Sequence, residues 1–357
     1  MRTIAVINQK GGCGKTTTAI NLAACLADYE QRVLLVDFDP QSHATLGLGL
    51  NPGEFKLGIY DLLLDREQKN IRIEDVVLVL SKYLHLLPSD VVLSAAEPVL
   101  LSRDDREYYL QEILESVPER YDFVIIDCPP SIGLLTFNAL FACSEAIIPM
   151  DSGLFSHSGL TRLMETINLV RFNSGHKVRV NVLATMFDRR TRIARESLAE
   201  IRRAMVRHVF QTVIHFNTSL KEASKHGRSI IDFSMSSTGY ADYMNLTREV
   251  LAMVDADASA EKIQSASAPP VVTEDGVLFT YYAPQAKRVY LSADFTNWKT
   301  DTIPLFNVDG NGIWQKIVPL GPGRYEYKYY VDGHWKTDPA NPNQISKEFG
   351  SNSFFEM

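Results

Sequence analysis

Apolar residues follow two different rhythms along this chain, and the change between them falls near residue 255. Before it, unbroken apolar runs such as Ile4-Ala5-Val6-Ile7, Val33-Leu34-Leu35-Val36, Phe123-Val124-Ile125-Ile126 and residues 178–185 read as strands buried on both faces. Between them lie stretches whose apolar residues recur every three or four positions, which predicts amphipathic helices over 21–28, 106–117, 160–173, 197–206 and 240–254. Strands alternating with helices in this way predict an α/β fold, a doubly wound and mostly parallel sheet.

Residues 256–270, ADASAEKIQSASAPP, are small and polar and end in two prolines, the composition of a flexible linker. Beyond them the period changes to two. Residues 277–282, 288–292, 313–318 and 325–331 read as short strands, separated by turns such as Asp309-Gly310-Asn311-Gly312 and Asp332-Gly333-His334. Fewer than 90 residues of this kind predict a small antiparallel, immunoglobulin-like β-sandwich. The expected division is therefore an α/β domain over 1–255, a linker over 256–270 and an all-β module over 271–357.

Length and composition narrow the reading. A chain of 357 residues is comfortable for two domains. Its formal net charge of −7 argues against a protein coated in nucleic acid, although a local basic patch stays compatible with it. Cys13, Cys25, Cys128 and Cys143 show no metal-ligand spacing and read as reduced thiols of a cytoplasmic protein. No apolar run approaches the roughly 20 residues needed to span a bilayer, the chain opens at once on a strand, and no membrane partner is expected.

The chemistry concentrates after the first strand, where residues 9–18 read QKGGCGKTTT. Gly11, Gly12 and Gly14 permit the close backbone approach that lets successive N–H groups converge on phosphate oxygens. Lys15 adds a cation there and Thr16 a hydroxyl for Mg²⁺. The common phosphate-loop pattern has a glycine where this chain has Gln9, and a second lysine, Lys10, stands beside the glycines, so the loop is a deviant one. Two further apolar strands end in acids: Asp37 and Asp39 in VLLVDFDPQ, and Asp127 in FVIIDCPP. Asp127 is placed to hold the hydration shell of Mg²⁺.

Residues 10–18, Val36-Asp37-Phe38-Asp39-Pro40-Gln41 and Asp127-Cys128-Pro129-Pro130-Ser131 resemble the ParA/MinD superfamily of partitioning and positioning ATPases, its ParA (Soj-like) branch above all. The similarity runs over residues 1–254 and includes Thr185-Met186-Phe187-Asp188, Asn217, Glu222-Ala223 and His226-Gly227. It implies an ATP-dependent homodimer in which Lys10 reaches the partner's nucleotide and Asp39 orients the attacking water. Gly11, Gly12, Cys13, Gly14, Lys15, Thr16, Thr17 and Asp127 would hold ATP or ADP, and Thr16, Asp39 and Asp127 the Mg²⁺. It also implies a ParB-like activating partner. The MinD-type alternative, a terminal basic amphipathic helix on a membrane, lacks its helix in Val254-Asp255-Ala256-Asp257.

In the last segment, Asp294-Phe295-Thr296-Asn297-Trp298, residues 323–329, Val331-Asp332-Gly333-His334-Trp335 and Asp338-Pro339 resemble the glycogen-binding module of the AMP-activated kinase β subunit. The apolar face of a glucose ring suits a flat indole. The resemblance makes Trp298 and Trp335 the platforms for an α-glucan such as glycogen, with Lys328 and Asn352 as hydrogen-bonding partners. The closing segment Phe349-Gly350-Ser351-Asn352-Ser353 is one residue shorter than the usual turn, which bears on whether Asn352 reaches a sugar. The competing reading gives both indoles to packing or to a protein contact.

Partitioning ATPases hold non-specific DNA through basic residues, and Arg189, Arg190, Arg192, Arg195, Arg202, Arg203 and Arg207 crowd one segment here, with Glu196 and Glu200 among them. Arg190, Arg195 and Arg203 are the candidates for a phosphate-binding stripe. Ser219 stands where another DNA-contacting arginine is expected, and residues 151–158 lack acids the family often carries there. A solvated arginine-rich face is the other reading, and both stay open at this point.

The function these residues predict is an ATP-hydrolysing, dimerising molecular switch in the cytoplasm that positions a cargo on a surface such as the nucleoid and carries a glucan-binding module. The alternative is a nucleotide-sensing regulator of glucan metabolism with no DNA binding. A glucan-active enzyme is disfavoured, because the carboxyl-terminal segment is too short to house a catalytic glycosidase domain.

Overall fold

The computed structural model describes residues 1–64, 70–117, 120–151, 157–206, 208–260, 267–307, 310–347 and 350–357. They divide into two compact units, one of residues 1–154, 180–194 and 210–258, the other of residues 155–179, 195–209 and 259–357.

The first unit is built on a seven-stranded sheet. Its strands are β1 (Arg2–Val6), β2 (Val33–Asp37), β3 (Leu78–Val79), β4 (Leu84–Leu87), β5 (Phe123–Asp127), β6 (Glu145–Asp151) and β7 (Arg179–Thr185), in the order β3-β4-β2-β5-β1-β6-β7. β1 runs parallel to β5 and β6, and β2 parallel to β4 and β5, while the two-residue β3 runs antiparallel to β4. All five residues of β2 and of β5 are buried, which explains their unbroken apolar runs: a sheet covered on both faces leaves no polar side to alternate with. The first helix, α1 (Lys15–Asp28), starts six residues before its apolar rhythm becomes visible at Asn21, because its first turn is spent on the loop rather than on the core. Ile20, Leu22, Ala23, Cys25 and Leu26 then pack against Val33, Leu35 and Ile125.

In the second unit the helix His157–Ser174 and the carboxyl-terminal part of the helix Arg192–Ala204 join a β-sandwich. One sheet consists of β10 (Val289–Ala293), β11 (Ile303–Pro304), β13 (Arg324–Val331), β14 (His334–Lys336), β15 (Gln344–Lys347) and β16 (Gly350–Glu356), in the order β11-β10-β13-β16-β15 with β14 also on β13. The other has β8 (Ala268–Thr273), β9 (Gly276–Tyr282) and β12 (Ile313–Val318) in the order β12-β9-β8. Every pairing within these two sheets is antiparallel. Phe279, Leu291, Trp314, Tyr327, Tyr329 and Phe355 fill the space between them. The buried hydroxyl of Tyr327 donates to Asp338 Oδ2 at 2.6 Å and accepts from Asn341 Nδ2 at 2.9 Å, so a polar atom sits in the core at little cost.

The helix joins the sandwich through charged and polar groups. Arg171 donates to the carbonyls of Asn307 and Val178 and to Asn168 Oδ1, and Lys287 Nζ lies 4.5 Å from the centre of the Phe172 ring. The ends of the expected linker carry regular structure. The helix Thr238–Ala260 takes in its first five residues, β8 its last three, and residues 261–266 lie outside the described residues.

Candidate functional site

The loop after β1 and the ends of β2 and β5 meet at one edge of the sheet, because Val6 and Asp37 are both in register with Asp127. Gly12 and Gly14 have φ of 75° and 89°, a conformation that favours glycine, and a side chain added at Gly11 or Gly12 would meet nothing within 4 Å. The floor of the loop is pinned from outside: Thr185 Oγ1 donates to the Cys13 carbonyl at 2.8 Å. No side chain caps α1, so its first N–H groups point outward with the positive end of the helix dipole, the usual way a helix meets an anion. Lys15, only 7% exposed, donates to the Lys10 carbonyl at 3.0 Å.

The acids form the other wall. Asp127 is completely buried and neither of its carboxylate oxygens has a hydrogen-bond partner among the described residues. Burial, then Asp37 and Asp39, push its pKa well above the usual carboxylate range, while Thr16 and Lys15 pull the other way. Asp37 accepts from Thr45 N at 2.8 Å and Thr45 Oγ1 at 2.7 Å, and burial still raises its pKa to about 6. Asp39 is 5% exposed and accepts from Gln41 N at 2.9 Å. Ionised together, three buried carboxyls beside one lysine would leave an excess of negative charge that a divalent cation would neutralise. No group of three His, Cys, Asp or Glu side chains among the described residues is arranged to cage a metal. Mg²⁺ beside a bound phosphate keeps several of its waters and takes its remaining ligands from one or two carboxylates and the phosphate.

The loop glycines, Lys15, Thr16 and, of the three acids, Asp39 line a cleft of about 770 Å³ that continues past the loop to Met186, Leu46, Lys221, Ser224 and Lys225. Sequence reading assigned no role to Lys221 or Lys225; their spacing of four on the helix Thr218–Lys225, beside Glu222-Ala223, was the available signal. It also left Asp37 without a role and missed the partner of Lys10, whose Nζ lies 2.6 Å from Asp151 Oδ2 at the end of β6.

The three candidate DNA contacts do not share one environment. Arg190, in the first unit, is forked onto Asp188 at 2.8 and 2.9 Å, an acid the charge count overlooked. Arg195 and Arg203 belong to the second unit; Arg195 is exposed, whereas Arg203 is half-buried beside Lys316. Arg207 and residues 152–156 lie outside the described residues.

On the sandwich, Glu326, Lys328 and Tyr330 of β13 alternate with the fully buried Tyr327 and Tyr329 and so point outward. Tyr330 is paired with Trp335, whose ring is 5.2 Å away at 62° and 44% exposed. Asn352, 8% exposed, donates to Glu326 Oε2 at 2.9 Å, and Lys347 Nζ lies 3.0 Å from Glu326 Oε1. Those two partners, Asn352 foremost, hold the Glu326 carboxyl below its ordinary pKa. Lys328, Trp335 and Asn352 thus lie along one face, Lys328 standing between Glu326 and Tyr330 on β13. Trp298 follows the short turn Asp294–Thr296 with φ of 58° and is half-buried. Neither candidate indole is a core residue; the core tryptophan is Trp314, 2% exposed, its Nε1 donating to the Ala283 carbonyl at 2.9 Å.

Comparison with known proteins agrees with both halves. A family model described as AAA domain matches residues 1–180, and one described as carbohydrate-binding module 48 (isoamylase N-terminal domain) matches residues 268–345. The sporulation initiation inhibitor protein Soj of Bacillus subtilis is 40% identical over 251 residues, 70% of this chain and 98% of that protein. The chromosome partitioning protein ParA of Myxococcus xanthus is 40% identical over 251 residues, 70% of this chain and 88% of that protein. Among solved structures, cobyrinic acid a,c-diamide synthase from Mycobacterium smegmatis with bound ATP analog and magnesium is 30% identical, with a TM-score of 0.62 over 72% of this chain and 97% of that one. With its deviant phosphate loop, its parallel sheet and these relatives, the chain belongs to the ParA/Soj family of P-loop ATPases and carries behind the ATPase a sequence of carbohydrate-binding module 48.

Proposed function

We propose that this protein is an ATP- and Mg²⁺-dependent switch that dimerises on ATP, hydrolyses it slowly and positions a cargo, with the sandwich serving as an α-glucan-binding accessory. The observation that carries the nucleotide half is the partnerless, fully buried Asp127 beside Asp37 and the open glycine cradle. The N–H groups of the loop and the Lys15 ammonium bind the phosphates, Lys15 exchanging the Lys10 carbonyl for phosphate oxygen. Thr16 and, through water, Asp127 and Asp39 would hold Mg²⁺, which when bound neutralises phosphate charge. Asp39, at the rim of the cleft, orients the attacking water. Lys10 serves a partner subunit after leaving Asp151.

Lys15→Ala should abolish ATP binding, whereas Asp39→Ala should bind ATP and accumulate as a dimer, because Lys15 touches phosphate in the ground state and Asp39 acts on the water. Light scattering on nucleotide-loaded protein decides it: a monomeric Asp39→Ala protein with saturated nucleotide would refute the dimer. The glucan half is supported by the exposed Trp335 with Lys328 on its face.

A second reading, a nucleotide-sensing regulator of glucan metabolism without a DNA surface, is favoured by the pairing of Arg190 with Asp188 and by Ser219 at an expected arginine position. Fluorescence anisotropy of the ATP-loaded protein on random duplexes at low salt separates the two, and binding there selects the nucleoid-based switch.

A further inference from the structure

The outward face of the larger sandwich sheet carries aromatic residues that its core does not use. Tyr330 meets Trp335 on one side, and on the other it is paired across the strands with Tyr290 of β10. Val289 and Leu291, on either side of Tyr290, are buried in the core, so Tyr290 points outward as Tyr330 does. Trp335, Tyr330 and Tyr290 therefore form a row across β14, β13 and β10, and at the usual strand spacing it spans roughly 10 Å. The row does not end in solvent. Beyond Tyr290 comes the two-residue β11, and Glu165 of the helix His157–Ser174 is a neighbour of Tyr290 in the lining of one crevice. Thr161, Glu165 and Asn168 of that helix line a crevice of about 20 Å³ with Tyr290 and Pro304. Arg171 on the Asn307 carbonyl and Lys287 on Phe172 hold the helix in this place.

A row of aromatic faces bordered by a carboxylate, an amide and a hydroxyl is the chemistry that binds a chain of sugars: rings stack on apolar faces, and acceptors and donors take the hydroxyls. We propose that the sugar-binding face extends from Trp335 over Tyr330 and Tyr290 to the helix His157–Ser174, so that a linear α-glucan of several residues contacts sandwich and helix together. The proposal rests on the glucan reading above and adds its length selectivity and two binding residues, Tyr290 and Glu165. A short sugar fills the platform around Trp335 without reaching the helix. A longer one staples the two.

The test is calorimetric titration of the full chain with maltotriose and with maltoheptaose. Tyr290→Ala removes a stacking face and should weaken maltoheptaose about tenfold, a loss in the range measured for stacked rings, while changing maltotriose less than about twofold. Glu165→Gln should weaken maltoheptaose about threefold and leave maltotriose alone. Trp335→Ala should weaken both. On the wild type, hydrogen exchange of residues 161–171 should slow with maltoheptaose and stay unchanged with maltotriose, a readout that survives if Tyr290→Ala does not fold. If wild type binds both sugars yet exchange on the helix is unmoved and Glu165→Gln binds both as before, the extended site is wrong and the platform stands. If wild type binds neither sugar, the glucan reading falls and the extended site with it.

Discussion

Replacing Lys316 with methionine asks whether charge or burial decides how this side chain contributes to its unit. Lys316 lies on β12 in line with Trp314 and Val318, 8% exposed, and its ammonium is 5.7 Å from the centre of the Phe306 ring. Burial lowers its pKa from 10.5 to about 8, with Arg203 pushing the same way and Glu200 opposing. At ~1.36 kcal/mol per pKa unit, keeping the ammonium charged at neutral pH costs about 3 kcal/mol. An unfolded lysine keeps its proton to its ordinary pKa, whereas the folded one gives it up near 8, so between those values the folded state binds fewer protons. Stability therefore rises with pH through that window, and the penalty is fully present below it. Methionine fills a similar volume without charge. Lys316→Met should be more stable than wild type by about 2–3 kcal/mol at pH 7, the gap narrowing to about 1 kcal/mol at pH 9.5. Urea unfolding of the full chain, followed by tryptophan fluorescence at both pH values, measures it. A variant less stable than wild type at pH 7 would show that Glu200 and the Phe306 face outweigh burial, and the reasoning would fail.

Three further outcomes follow from single contacts. Thr45→Val removes the hydroxyl that donates to Asp37 and accepts from the buried Ser89 N–H at 3.1 Å, so the first unit should lose about 3 kcal/mol, read as a lowered urea midpoint with an unchanged slope. Tyr327→Phe leaves the buried Asp338 carboxylate short of a donor at 2.6 Å; the sandwich should lose about 2 kcal/mol and melt several degrees lower by calorimetry, and an unchanged melting temperature would mean water replaces the hydroxyl. If the arginine segment is a DNA surface, Arg190→Glu with Arg203→Glu should abolish duplex binding in anisotropy without changing ATP affinity, and wild-type binding should fall steeply with salt.

What was legible in the chain was what local pattern encodes. Unbroken apolar runs marked β1, β2 and β5 because both faces of those strands are covered, and glycines before Lys15 marked the loop because only a small residue lets a backbone approach phosphate. Alternation of aromatics with polar residues marked the sandwich. Pairings between distant residues were not legible: Lys10 and Asp151 are 141 positions apart, and the register that sets Asp37 against Asp127 depends on strand order. Resemblance set Trp298 and Trp335 apart in the sequence; the packing of β12 adds that Trp314 is a core residue whereas Trp335 is exposed. The pairing of Arg190 was not legible for a related reason, since counting charges ignored Asp188, just outside the stretch. The helix His157–Ser174 falls within the residues matched by the AAA domain model yet belongs structurally with the sandwich, a grouping no local pattern announces.

The four cysteines have a practical corollary. Each is buried and outside any disulfide, and burial raises every one of their pKa values, Cys25 and Cys143 to about 12, so almost no thiolate is present at neutral pH. A maleimide dye reacts with thiolate it can reach. One cysteine introduced on the surface, at the exposed Arg195 or His334 for instance, should therefore take up label while the native four stay silent. Fluorophores could report subunit exchange or sugar capture in an otherwise unaltered chain.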